Sequence, residues 1–137
     1  MPTVYVASSR NLAEWGADVG LTKHIFKVGI AEGAAKDAVD QLNQAVHAGE
    51  SDWRLVTKQE VEQVDEGAML ERVGRKEKLV DPALYPKIKG AKGVFKVKPT
   101  NVENHLLVKM ALDGGEPKAV KLKPADIGAY LILNATK

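Results

Sequence analysis

The sequence predicts an α+β fold, a small mixed or antiparallel sheet flanked by helices, and three observations carry that expectation. Two short apolar runs, Val4-Tyr5-Val6-Ala7 and Phe26-Lys27-Val28-Gly29-Ile30, have the β-branched and aromatic content of buried strands. Between Ala34 and Ala48, Ala35, Ala38, Val39, Leu42, Ala45 and Val46 recur at three- and four-residue intervals, the period of an amphipathic helix. Farther on, Val94-Phe95-Lys96-Val97-Lys98 reads as another strand, set in a segment dense in lysine.

The elements follow in order. Thr3 to Ser8 is the first strand. Asn11 to Gly20 spaces Leu12, Trp15 and Val19 about one helical turn apart, with Gly16 and Gly20 as interruptions, and reads as a short helix or structured loop. His24 to Ala31 is the second strand, with Gly29 where a backbone or ligand can approach closely. The amphipathic helix from Ala34 to Ala48 then runs from Gly33 to a stop at Gly49. Asp52 to Thr57 is a third strand, and Thr57-Lys58-Gln59-Glu60 matches a capping box, which predicts a helix from Lys58 that breaks at Gly67 and continues from Ala68 to Arg75.

Asp81-Pro82 starts a turn. Thr100-Asn101-Val102-Glu103 is a second capping-box match, favouring a helix from Asn101 to Leu112 that ends at Asp113-Gly114-Gly115; a hairpin across those glycines is the competing reading. Lys123-Pro124-Ala125-Asp126 opens a last helix that buries Ile127, Tyr130 and Leu131.

A chain of 137 residues, 45% of them apolar, is the size of one domain. Residues 1–80 form its first half and residues 81–137 a basic C-terminal extension packed on it. The lack of cysteine excludes disulfides and thiol chemistry and fits a reducing compartment, so a cytoplasmic location is expected. The start, Met1-Pro2-Thr3-Val4, has no basic-then-apolar leader, and no apolar run approaches the ~18 residues of a membrane span, so no membrane partner is expected.

The net charge of +2 is unevenly spread: residues 1–68 hold 6 Lys+Arg against 11 Asp+Glu, and residues 69–137 hold 14 against 7. A basic half of this kind meets a polyanion or forms a solvated surface that offsets the acidic half. Lys87, Lys89, Lys92, Lys96 and Lys98 occur between Tyr85 and Lys98 without an intervening acid, and they are the candidate contacts to phosphates. Tyr85 and Phe95 are candidates to stack on an unpaired base, or they are core. Lysine reads bases poorly, so nucleic-acid binding here carries low sequence specificity.

The two early strands and the helix after them resemble the opening of the GIY-YIG nuclease domain over residues 3 to 75. The resemblance implies a GIY-YIG-like N-terminal half whose site combines two aromatic hydroxyls, a glycine, a helix arginine and a glutamate that binds one divalent cation, Mg or Mn. Tyr5 matches the first aromatic and Gly29 the glycine. Phe26 stands at the second aromatic without its hydroxyl, and Ala38 stands against the arginine. Lys36 is the nearest cation, but two residues turn a helix by about 200°. Glu71 is the expected metal ligand, with Glu60, Glu62 and Glu66 as rivals.

The resulting expectation is a nucleic-acid-binding protein with a degenerate nuclease fold. Its alternatives are an active metal-dependent DNA endonuclease and a non-enzymatic protein-interaction module. His24, His47 and His105 are too scattered for a zinc pattern, and no Walker or dinucleotide glycine motif occurs.

Overall fold

The computed structural model describes residues 2–88, 91–114 and 122–136. Its elements are β1 (Thr3–Ser9), α1 (Arg10–Asp18), β2 (Ile25–Ala31), α2 (Ala35–Gln44), β3 (Trp53–Glu60), α3 (Glu66–Gly74), β4 (Lys78–Leu79), β5 (Val94–Lys96), α4 (Pro99–Leu112) and α5 (Pro124–Thr136). The five strands form one antiparallel sheet in the order β3-β1-β2-β5-β4. The α+β architecture is the one expected.

Strand alternation sends neighbouring side chains to opposite faces, and here both faces are covered. Val4, Val6, Phe26, Val28 and Phe95 meet Met69 and Val73 of α3, Val102 of α4, and Ile127 and Leu131 of α5. Tyr5, Ala7, Ile25, Ala31 and Val94 meet Leu12 of α1 and Ala35 and Val39 of α2. This double cover explains why β1 and β2 read as nearly unbroken apolar runs rather than as alternating ones. On β5 and just beyond it Val94, Phe95 and Val97 are all buried, and Lys96 stands half-buried at the strand end.

Gly29 faces Tyr5 across β1 and β2, and a Cβ there would stand 2.6 Å from the Tyr5 hydroxyl oxygen and 2.7 Å from Cζ. The tyrosine ring therefore fills the space that a side chain at position 29 would take. Gly93 has φ +73 and its carbonyl accepts the Val28 amide at 2.8 Å, so its left-handed backbone delivers the chain onto the edge of β2.

Two boundaries differ from the sequence expectation. The Thr57 capping box is not used: β3 continues to Glu60 opposite Thr3, and the helix starts at Glu66, capped by the Asp65 carboxylate, which accepts the Ala68 amide at 2.9 Å. A long ladder to β1 satisfies the backbone groups that the cap would have served, so pairing overrides the local signal. The amphipathic helix stops at Gln44 rather than Ala48, because Val46 (φ 50) and Ala48 (φ 55) take left-handed conformations. That kink presents the His47 carbonyl to the Trp53 indole N–H at 2.9 Å, while the Asn43 amide donates to the Trp53 carbonyl at 3.1 Å.

Two stability outcomes follow. Gly29→Ala should lower the unfolding free energy by about 1–3 kcal/mol in urea, since the tyrosine ring must move; an unchanged midpoint would contradict the close approach. Val46→Asn should raise it by about 1 kcal/mol, because asparagine tolerates the left-handed region better than an exposed β-branched residue does.

Candidate functional site

Strand register gathers the basic residues at one end of the sheet. Ser9 lies opposite Trp53, Ser8 opposite Arg54, and Lys96 opposite both Ile25 and Lys78. Arg10 opens α1 immediately after β1, Lys23 and His24 lead into β2, and Lys98 is the N-cap of α4. Arg10, Lys23, Arg54, Lys78, Lys96 and Lys98 thus come from both halves of the chain to the same end.

The neighbouring carboxylates are engaged elsewhere. Glu14 pairs with Arg10 at 3.5 Å on the exposed surface of α1. Asp52 accepts from the Ser9 hydroxyl and from the Asn11 amide at 3.0 Å. Burial works against its ionisation, but these hydrogen bonds and those of the adjoining amides prevail and lower its pKa. Glu77 is only 3% exposed and turns inward, accepting from the Lys98 amide at 2.6 Å, Asn101 Nδ2 at 2.8 Å and the Tyr130 hydroxyl at 3.2 Å. Among the described residues, Lys23, Arg54, Lys78, Lys96 and Lys98 make no ion pair.

Two hollows open at this end. A groove of about 400 Å3 is lined by Thr22, Lys78, Lys96, Val97 and Lys98, with the inward-turned Glu77 also in its wall. A second cleft of about 590 Å3 lies beside it, beyond the loop that carries Lys23 and His24.

Of the four described lysines among those singled out by sequence, Lys96 and Lys98 reach this groove. Lys87 bonds to Glu50 at 2.7 Å. Lys92 is exposed ahead of β5, at the other end of that strand, and Lys89 lies outside the described residues.

The residues suggested by the nuclease resemblance divide across the sheet. Tyr5 and Gly29 touch on the face covered by α1 and α2, and the exposed Lys36 is on α2. Phe26 packs on the opposite face with Met69 and Phe95. Glu71 lies on α3 on that side, exposed and paired with Arg75 at 3.2 Å. The acid that acts on Tyr5 is instead Glu66: burial first, and its charge second, push the Tyr5 pKa up. Among the described residues, no three His, Asp or Glu side chains gather as a cation site. A lone exposed carboxylate across the sheet from Tyr5 does not fit the divalent-metal centre that the resemblance implies.

No protein-family model, curated protein or solved structure matches the chain. No helix among the described residues is long and apolar enough to cross a membrane.

One charged cluster escaped the sequence reading. Lys27 is 9% exposed, on the same face of β2 as Ile25, and its Nζ donates to the Lys92 carbonyl at 2.6 Å. Burial lowers its pKa to about 8, helped by the charge of Lys92 and opposed by that of Glu66. His47 shares this environment; burial and the charge of Lys27 lower it to about 4, and its Nε2 is buried without a partner. The available signal was alternation itself, which puts Lys27 inward on a strand buried on both faces.

The sign of the linkage can be measured. The folded pKa of Lys27, about 8, lies below the ordinary 10.5, so between those pH values the unfolded chain holds a proton that the folded chain has released. Stability should rise by up to about 3 kcal/mol as pH increases across that window. In Lys27→Met the Lys27-dependent rise should vanish from urea midpoints measured at pH 7.5 to 10. Parallel pH profiles for the two proteins would contradict the assignment.

Proposed function

We propose that the protein binds nucleic acid through its phosphate backbone, with low sequence specificity, along the end of the sheet that carries Arg54, Lys23, Lys78, Lys96 and Lys98. The observation that carries this reading is the convergence of five basic side chains from distant parts of the chain, none paired with a carboxylate among the described residues. With strands about 4.8 Å apart, a five-stranded end spreads such charges over roughly 20 Å, a length that spans several phosphates. Lysine ammonium groups act as point charges there, and release of counterions supplies the affinity.

The antiparallel pairing of β1 with β2, the helix α2 that follows β2 and the contact between Tyr5 and Gly29 support kinship with the GIY-YIG fold in degenerate form, with α1 inserted between the two strands. Binding is the function we assign to that scaffold rather than cleavage. Phe26 has no hydroxyl, Ala38 stands in the place of the arginine, and Glu71 and Tyr5 lie on opposite sides of the sheet. No general acid, base or metal ligand set is completed by these residues.

Affinity for a short oligonucleotide should fall steeply with salt, with a log–log slope of about −2 to −3.5 for three to five single-strand phosphates. Lys96→Glu and Lys98→Glu should each weaken binding about tenfold at low salt, whereas Lys92→Glu, away from the groove, should have little effect. Fluorescence anisotropy measures all three. Salt-independent affinity, equal loss in all variants, or no binding at low salt would reject the proposal.

A further inference from the structure

We infer that the cleft between α1 and α5 receives one unstacked nucleobase, which makes single-stranded nucleic acid the ligand class of this end of the sheet. The inference rests on the nucleic-acid reading and adds to it a specific receptor for the base.

The cleft has the size of a small-ligand site, about 590 Å3. Its walls come from opposite layers: Ala13 and Ala17 from α1, and Ile127 from α5, with Leu122 just before that helix. Phe26, 5% exposed, contributes its floor. The alanines matter because their small side chains leave room where α1 crosses the end of the sheet. An apolar slot of this size suits the face of a base, whatever its identity.

The rim supplies what a nucleotide carries besides its ring. Lys23 and Arg54 make no ion pair among the described residues, and each can meet a flanking phosphate, while Arg10 on the same rim is paired with Glu14. His24 offers a polar ring between them; burial and the charge of Lys23 lower its pKa, which keeps it a neutral donor and acceptor for a base edge. The same loop serves both hollows, since Lys23 and His24 line the cleft while Leu21 and Thr22 line the groove. A strand whose base enters the cleft therefore continues past Lys96 and Lys98. A base stacked within a duplex cannot make this entry without being flipped out, at an energetic cost.

The experiment compares a twenty-four-nucleotide single strand, its abasic counterpart and a blunt twelve-base-pair duplex of about equal phosphate number, titrated by fluorescence anisotropy. The single strand should bind about tenfold more tightly than either the abasic strand or the duplex. Ala13→Trp and Ala17→Trp, on the outer side of α1, fill the cleft and should remove that preference while preserving the thermal midpoint and the loss caused by Lys98→Glu. Equal affinity for the three ligands, with Lys98→Glu still weakening all of them, would overturn the base receptor and leave the phosphate-binding reading intact. Absence of binding to any of the three would overturn both. The abasic comparison uses the unaltered protein, so it decides the matter even where a tryptophan variant fails to fold.

Discussion

The pairing of β5 with β2 is the constraint on which the rest of this molecule depends. Its rungs join Ile25 to Lys96, Phe26 to Phe95 and Lys27 to Val94, and bonds from Val28 to Gly93 and from Val97 to His24 extend the ladder at both ends. Those rungs join the C-terminal half to the sheet built by the N-terminal half, alongside the packing of α5 on β1, β3 and α3. Phe95, fully buried at the middle rung, is the side chain that fixes the register; burial of a ring of this kind is worth about 3–5 kcal/mol against alanine. A slip of one residue would turn Phe95 to the other face and carry Lys96 out of register with Lys78 and Ile25.

Glu77 extends the same constraint to the helices. Its carboxylate takes the place that a local side chain would occupy at the start of α4, accepting the Lys98 amide and the Asn101 side chain, and it also holds the hydroxyl of Tyr130 on α5. Burial, then the charge and hydrogen bond of Glu77, push the Tyr130 pKa up to about 12. One inward carboxylate thus satisfies an exposed helix end, ties α4 to α5, and leaves the adjacent lysines without an acidic partner. The electrostatic character of the groove is a consequence of how the fold satisfies its polar groups.

Much of the fold was legible because its strongest signals are local. The apolar runs of β1 and β2, the periodicity of α2, and the proline and aspartate that open α5 all mark elements close to their observed positions. The failures have a common cause in long-range pairing. Thr57 and Glu60 form a correct capping box in sequence, yet β1 claims them as strand; Thr100 and Glu103 form another, yet Glu77 reaches across from a distant segment and α4 begins at Pro99. The lysines were visible as a cluster in sequence, but a run of lysines does not state which end of a strand each occupies. Lys96 and Lys98 reach the groove, Lys87 is bound to Glu50, and the partners Lys23, Arg54 and Lys78 come from segments that looked unremarkable. Tyr5 and Gly29 meet across β1 and β2, whereas the alternation of β2 and the packing of α3 put Phe26 and Glu71 across the sheet, a division that no local motif states.

In the proposed reading, ligand meets the end of the sheet where β1 finishes and β2 begins. An NMR titration of the labelled protein with a short single-stranded oligonucleotide tests it most directly. The account predicts that shifted amides map to Ser9–Ala13, Thr22–Phe26, Arg54, Lys78 and Lys96–Lys98, joined in space by the β2 and β5 pairing. Shifts concentrated instead around Tyr5, Gly29 and Lys92, or spread evenly over the exposed lysines, would contradict it.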